Sequence, residues 1–402
     1  MQLDLTDKER AWRDEVGAFL RQSLPSDWRG EDAYETDESY EFTRDFAKKL
    51  GQKNWLSLAW PEEHRKEATK TKTEQALFQS EIAYNRAPTM NFQVGSGTTG
   101  PALMVYGTDE QRDLWLEDIR LGEVGFCNGL TEPDAGSDLA ALQFSAVDDG
   151  DEIVLNGEKI FNTRAHRLEY ITVAARSNPE ATKHRGISAV LCPLDHPRVK
   201  VVKKMTFGGQ NLSWVYFDDA RVPMRNRIGT KDQAWYEALS VDVYTMPGAG
   251  ASGSQRTFDD FVKYCHETKV GSQRLIDDER VKLMLAEFAI ELEVQHQLYW
   301  RTVWARAQRE GGTDIINEKI GGGLHQASTS VLSLWSKEWG PRFAHAAVRL
   351  LGPFGQLVHG EEWAPMFGEM ERELRQSHGN HAHGTPELLK GVMAIRGLGM
   401  PR

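Results

Sequence analysis

The chain has 402 residues, of which 40% are hydrophobic and 27% are charged, which is the profile of an ordinary globular protein with two or three domains. Its formal net charge of −11 argues against a nucleic-acid partner, because phosphate binding depends on clustered Lys and Arg. No apolar run is long enough to span a membrane, and residues 1–10 lack the regions of a signal peptide. We therefore expect a cytoplasmic protein with neither a nucleic-acid nor a membrane partner.

Residues 1–124 are predicted to form an N-terminal helical domain. Proline-containing stretches break it into helical segments. Apolar side chains recur at helical spacing in three of these segments, at Trp12, Val16 and Leu20, at Phe42, Phe46 and Leu50, and at Ala76, Phe78 and Ile82.

Residues 125–230 are predicted to form a middle antiparallel β-domain, because short apolar runs alternate there with polar turns. A turn with the sequence Thr-Glu-Pro-Asp-Ala-Gly-Ser-Asp occupies residues 131–138. Its backbone N–H groups and the Ser137 hydroxyl can converge on an anion, and we expect Gly136 to supply an unusual backbone conformation. A pyrophosphate group would suit this turn.

A β-hairpin is predicted around Asn156 and Gly157, since Asn-Gly between apolar runs is a strong hairpin signal. The hairpin would place Phe161 and Thr163 on a strand beside the 131–138 turn. An aromatic face, with hydroxyls from Thr131 and Thr163, suits the heteroatom-rich ring of a flavin. The two stretches together predict a flavin site, although each alone also fits an ordinary antiparallel sheet with a polar turn.

Residues 231–402 are predicted to form a C-terminal helical bundle of the four-helix type, because long apolar periodicity returns from Ala234 onward. The clearest helical segments are 281–292 and 343–351. The small residues at 247–253 are predicted to form a loop between helices.

This order of a helical part, a β-domain and a second helical part, with the 131–138 turn opening the middle part, resembles the acyl-CoA dehydrogenase family. The resemblance extends along almost the whole chain. Matching segments follow in the family's order at Gly100-Pro101-Ala102-Leu103, Lys183-His184-Arg185-Gly186, Val222-Pro223 and Leu350-Leu351-Gly352-Pro353.

Members of that family bind FAD and remove two hydrogens from the α and β carbons of an acyl-CoA thioester. In those proteins the adenosine half of the bound FAD reaches a neighbouring subunit near the segment that matches 352–356. The resemblance therefore implies a homo- or hetero-oligomer. It leaves the electron acceptor open between a flavoprotein and oxygen. The resemblance assigns cofactor contacts to Asn128, Leu130, Thr131, Gly136, Ser137, Phe161, Thr163, Gly352, Gln356, Thr385 and Glu387.

The family's catalytic glutamate is missing from both of its usual positions. His383 stands before Gly384-Thr385, where one glutamate is expected, and the position on the first helix after the β-domain reads Val243-Tyr244. Three interpretations stay open. His383 is itself the base, since an imidazole suits proton abstraction near neutral pH; Asp242, from nearly the same helix face as Thr245, is the base; or the chain has no base.

The predicted function is FAD-dependent α,β-dehydrogenation of an acyl-CoA thioester, and the alternative is a base-lacking, flavin-binding partner subunit of a hetero-oligomeric dehydrogenase. No metal site is predicted, because the three cysteines are far apart and the histidines between 378 and 383 fit no usual ligand spacing. The cysteines are expected to be buried.

Overall fold

The computed structural model describes residues 4–31, 36–209, 211–241, 244–310, 322–379, 381–382 and 384–401. In this part of the chain a helical part, a β-rich part and a second helical part follow one another, as the sequence predicts. Cys127, Cys192 and Cys265 are all buried, as expected.

The N-terminal part consists of α1 (Asp7–Ser23), α2 (Asp37–Gln52), α3 (Glu62–Arg65), α4 (Lys72–Tyr84), α5 (Gly100–Tyr106) and α6 (Asp109–Leu121). A threonine caps the N-terminus of four of these helices, α1, α2, α4 and α6, and reciprocal side-chain bonds complete a capping box in each. Most of the predicted apolar positions of α1, α2 and α4 meet in one buried cluster, whereas Ala76 packs in another and Phe42 is half-buried. A second buried cluster joins α5 and α6 to the β-rich part.

Within the described residues, eight strands form one mostly antiparallel sheet in the order β6-β7-β3-β2-β4-β5-β8, with β1 parallel to β4. Its main apolar cluster lies against β2, β3, β4, β5 and β7. The strands are β1 (Phe126–Gly129), β2 (Ser145–Asp149), β3 (Glu152–Thr163), β4 (Tyr170–Arg176), β5 (Ile187–Pro193), β6 (Val199–Met205), β7 (Asn211–Pro223) and β8 (Arg227–Ile228).

The hairpin predicted at Asn156-Gly157 is wrong. β3 runs straight through both residues, and the chain instead reverses at Gly150, where φ is 64° and Asp149 pairs with Glu152. Asn156 and Gly157 form an irregularity in the pairing of β3 with β7, where Gly157 has a φ of 130°. An Asn-Gly pair suits any backbone that needs a positive φ, and a bulge needs one as much as a hairpin does.

The C-terminal part consists of α7 (Ser252–Glu267), α8 (Glu279–Glu310), α9 (Gly322–Leu351), α10 (Glu369–Gln376) and α11 (Pro386–Val392), with a short hairpin of β9 (Lys269–Val270) and β10 (Gln273–Arg274). Apolar side chains of α7, α8 and α9 form its core. None of the helices described here is long and apolar enough to cross a bilayer.

The helix expected across residues 242–245 is not found in its described part. Residues 244–250 are not helical, Tyr244 has a φ of 60°, and α7 begins only at Ser252. Pro247 and the glycines at 248 and 250 explain this, because each disfavours a helix interior. Lys72, on α4, donates to the carbonyl oxygen of Thr245 at 3.3 Å and ties this segment to the N-terminal part.

Candidate functional site

The 131–138 turn follows directly on β1. Its bend falls at Pro133 and Asp134, because Glu132 and Ala135 exchange backbone hydrogen bonds of 3.1 and 3.2 Å. The unusual backbone expected at Gly136 is wrong: its φ is not in the left-handed region, since the bend is complete before the chain reaches it. A Cβ built on Gly136 would still meet no atom within 4 Å, so the backbone is open to close approach by a ligand.

Hydrogen-bond donors of the turn are available for such a ligand. Gly136 and Ser137 are both exposed. Within the described residues, neither their backbone N–H groups nor the Ser137 hydroxyl has a hydrogen-bond partner. N–H groups and a hydroxyl on one exposed turn are able to bind an anion such as a pyrophosphate.

A buried ion pair between Glu132 of the turn and Lys159 of β3 lies beneath the exposed residues of the turn. The Nζ atom of Lys159 lies 2.7 Å from Oε1 of Glu132 and donates to the carbonyl oxygen of Leu130 at 3.1 Å. The Glu132 carboxylate also accepts the backbone N–H groups of Gln143 and Phe144, at 2.7 and 3.0 Å. Burial lowers the pKa of Lys159 to about 8, and Glu132 opposes that shift.

Sequence reasoning missed Glu132 and Lys159, although each lies inside a stretch that it singled out. Lys159 itself could have indicated the pair. A lysine on the apolar side of a predicted strand would be buried, and a buried charge needs a counter-charge.

Phe161 and Thr163 stand on β3 beside the turn, as predicted. Ile160 donates its backbone N–H to the carbonyl oxygen of Thr131 at 2.9 Å, which joins β3 to the turn. The pairing of β3 with β7 is irregular between Lys159 and Asn162. Phe161 has a φ of 59° there and is 53% exposed.

Asn162 holds this irregular backbone in place. Its side-chain amide donates to the carbonyl oxygens of Lys159 and Ser213, at 2.8 and 3.0 Å. Asn162 is buried, whereas Phe161 and Thr163 are exposed on the other side of the strand. The hydroxyls of Thr131 and Thr163 have no side-chain hydrogen bond to any described residue. The site thus presents an aromatic ring and two hydroxyls beside an anion-binding turn.

The remaining predicted residues lie on three elements. Asn128, on β1, and Leu130 are half-buried next to the turn. The other four belong to the C-terminal part, and no hydrogen bond or ion pair within the described residues joins them to the turn or to β3. Gly352 and Gln356 are the first and last residues of a 3₁₀ helix after α9. Thr385 caps α11, since its hydroxyl accepts the N–H of Leu388 at 3.2 Å, and Glu387 lies in the first turn of α11.

Both candidate bases, Asp242 and His383, lie outside the described residues. In the part of the chain that is described, no group of three His, Cys, Asp or Glu side chains is arranged to hold a metal ion.

Comparisons with known proteins extend this picture over the chain. Models of the acyl-CoA dehydrogenase N-terminal, middle and C-terminal domains match residues 6–123, 127–220 and 244–395. Acyl-CoA dehydrogenase FadE26 of Mycobacterium tuberculosis is 30% identical over 375 residues, which cover 89% of this chain and 88% of that protein.

Solved structures agree with the sequence comparisons. A chain of the ChsE4-ChsE5 complex from Mycobacterium tuberculosis is similar over 100% of both chains, with 26% identity and a TM-score of 0.85. A chain of the Tcur3481-Tcur3483 steroid ACAD is also similar over 100% of both chains, with 29% identity and a TM-score of 0.87. The predicted fold class and family resemblance are confirmed. The chain belongs to the acyl-CoA dehydrogenase family.

Proposed function

We propose that the chain binds FAD against the exposed residues of the 131–138 turn and of the Phe161–Thr163 end of β3. The Ser137 hydroxyl and the neighbouring N–H groups would hold the pyrophosphate, and the Phe161 ring would lie against the isoalloxazine. Thr131 and Thr163 would donate to heteroatoms at the edge of that ring. The open backbone at Gly136 and the unpartnered hydroxyls of this part of the chain support the fit.

Residues of the C-terminal part would complete the site across a subunit boundary. Gly352, Gln356, Thr385 and Glu387 make no hydrogen bond to the turn within the described chain, which fits contacts supplied to the adenosine half by a neighbouring subunit. We propose three domains, at residues 1–124, 125–230 and 231–402. The turn and β3 belong to the second domain, and these four residues belong to the third.

The reaction we propose is α,β-dehydrogenation of an acyl-CoA thioester. FAD supplies the hydride acceptor for the β-hydrogen. The chain itself must supply a base for the α-proton and hydrogen-bond donors for the thioester oxygen. His383 and Asp242 are the proposed candidates for the base. Phe161 is the observation that best supports this proposal. Its backbone is strained, and its aromatic ring is exposed and free to contact a flavin.

A second candidate function is that of a flavin-binding partner subunit. Two observations favour it: both usual glutamate positions hold other residues, and similar solved chains come from complexes whose names each give two proteins. In that case a second, related chain would supply the base.

Anaerobic mixing of the FAD-loaded chain with a panel of acyl-CoA thioesters distinguishes these functions. Because one similar complex is named a steroid ACAD, the panel includes ring-bearing as well as straight and branched acyl groups. We expect one thioester to bleach the visible flavin absorbance with the chain alone. Bleaching only after co-purification with a second chain would establish the partner function, and no bleaching in either arrangement would contradict both.

Replacing His383 by Gln tests the base directly. If His383 takes the α-proton, the rate of flavin reduction should fall by roughly 10²- to 10⁴-fold, the usual contribution of a general base. The matched control is His381→Gln, because His381 is an exposed histidine two positions away. An unchanged rate in His383→Gln would remove this residue from the mechanism and leave Asp242→Asn as the next variant to measure.

A further inference from the structure

The two segments of the proposed flavin site are joined by a lysine that the solvent does not reach. Lys159 is 0% exposed and its partner Glu132 is 8% exposed. The Nζ atom bonds both to the Glu132 carboxylate and to the carbonyl oxygen of Leu130. Its ammonium group also lies 5.0 Å from the centre of the Phe144 ring. A single side chain on β3 therefore contacts Glu132 in the turn, Leu130 just before it and Phe144 beyond it.

Stability alone does not account for this arrangement. Taking two charges out of water is costly, and well-packed apolar residues often stabilise a fold equally well. The pair does constrain geometry, because Nζ needs a fixed distance from two oxygen atoms on a separate segment. Lys159 also stands at the start of the irregular backbone that turns Phe161 outward.

A second buried cation, Arg176, anchors the segment that follows the turn. Arg176, on β4, donates to the carbonyl oxygens of Ala140 at 2.6 Å and Leu142 at 3.4 Å. Its other nitrogen donates to the carbonyl oxygens of Lys183 and Arg185, at 3.0 and 2.7 Å. Between the Lys159 and Arg176 anchors the chain is exposed at Pro133, Asp134, Gly136, Ser137 and Asp138.

We propose that Lys159 is a positioning residue for the flavin, which acts through its ion pair with Glu132 to fix the spacing between the 131–138 turn and the Phe161–Thr163 segment. This inference rests on the proposed FAD site. The pyrophosphate donors at Ser137 and the ring contacts at Phe161 belong to different segments, so one ligand can satisfy both only when the spacing is held. Lys159 itself does not touch the ligand.

The test compares a variant that removes the counter-charge of Lys159 with a variant that removes both charges of the pair. Glu132→Gln keeps the shape of the side chain and an oxygen acceptor for Phe144. Glu132→Gln with Lys159→Met replaces the ion pair by a neutral pair of similar size. Lys200→Met, at an exposed lysine of β6, is the matched control. For each protein we would measure the FAD dissociation constant, the melting temperature and the reduction potential of the bound flavin.

We expect both variants to bind FAD about 10- to 100-fold more weakly than the wild type, the loss typical of removing an outer-shell support from a bound group. The neutral pair should keep a melting temperature close to that of the wild type, and its bound flavin should show a shifted reduction potential. The control should change the dissociation constant by less than about two-fold.

Two results would overturn the inference while leaving the FAD site intact. One is wild-type affinity and potential in both variants. The other is an affinity loss that only follows the melting temperature, so that the variant with restored stability also regains FAD binding; this would make the pair purely structural. A wild-type chain that takes up no FAD is a different outcome, because it overturns the proposed function itself and this inference with it.

Discussion

Phe161 combines a φ of 59° with a ring that is 53% exposed. A left-handed backbone at a bulky residue costs about 1–3 kcal/mol and persists only where its surroundings impose it. The two hydrogen bonds from the Asn162 amide, to Lys159 and Ser213, impose it here. Packing does not explain the ring either, since half of it faces solvent. A strained backbone whose side chain gains little from packing is typical of a residue that is held in place for a ligand.

Replacing Phe161 by Asn should separate these two roles. Asn tolerates a left-handed backbone better than Phe does, so the free energy of unfolding should stay within about 0.5 kcal/mol of the wild type or rise. FAD binding should weaken by about 0.5–1.5 kcal/mol or more, because the stacking contact is lost. Chemical denaturation and FAD titration measure the two quantities.

The control for this variant is Phe207→Asn, at a ring that is 68% exposed and lies in the connection between β6 and β7. It should leave FAD affinity unchanged. A large loss of stability in Phe161→Asn, or wild-type FAD affinity, would contradict the role given to the ring.

β3 owes its shape to Gly157 as much as to its apolar residues. At a φ of 130°, Gly157 lies so close to Phe144, the residue before β2, that a Cβ would come to 3.0 Å from its ring. Asn156 beside it exchanges two hydrogen bonds of 2.8 Å with Asp219 on β7. The irregular backbone at Asn156 and Gly157 therefore determines the course of β3 between β2 and β7, before the strand reaches Phe161.

Gly157→Ala should destabilise the protein by about 1–3 kcal/mol, because the new methyl group meets Phe144 and the backbone is strained. The matched variant is Gly150→Asn at the true hairpin, where φ is 64° and a Cβ meets nothing within 4 Å. Since Asn is common at such positions, this change should stay within about 1 kcal/mol. Equal losses in the two variants would contradict the placement of the hairpin and the bulge.

The sequence predicted where the candidate site residues lie in the fold better than it predicted the backbone around them. Ser137, Phe161 and Thr163 stand where the motifs indicate, because strand alternation and turn composition are local properties. The pairing of Glu132 with Lys159 was missed, since it links residues that are distant in the chain and depends on which strand passes behind the turn. Gly136 lacks the expected positive φ, and Gly157 uses a positive φ at an irregularity rather than at the hairpin, which lies at Gly150. Glycine permits a positive φ, but tertiary packing decides which glycine uses it.

The order of the three parts could be predicted, and the loop expected from residue 247 is found as far as Ala251, whereas the non-helical backbone at 244–246 could not be predicted. Apolar periodicity returns near Ala234 in the sequence, yet the chain there contacts α4 through Lys72 and Thr245 before α7 begins at Ser252. A contact with a helix some 170 positions earlier in the chain has no local signature.

The N-terminal and C-terminal parts are locked together through Arg86. Its guanidinium bonds to Glu369 of α10 and lies 3.3 Å from Asp260 of α7, while its carbonyl oxygen accepts the indole N–H of Trp28 at 2.8 Å. Glu369 is 3% exposed, and burial raises the pKa of its carboxyl while Arg86 lowers it. The arginine thus compensates two acids at the boundary between the parts.

Arg86→Met should destabilise the whole molecule by roughly 3–5 kcal/mol, because it leaves a buried acid without its counter-charge. Chemical denaturation of the FAD-free chain measures this. The matched control is Arg280→Met at a side chain that is 90% exposed, which should stay within about 0.5 kcal/mol. A loss in Arg86→Met no larger than that of the control would show that the two parts are held together elsewhere.

FAD binding by the purified chain tests the central claim most directly. An equilibrium titration of the FAD-free protein, followed by flavin fluorescence and absorbance, should saturate at one FAD per chain and should weaken in Phe161→Asn but not in Phe207→Asn. Absence of saturable binding, both for the chain alone and for the chain assembled with a related partner, would contradict the account.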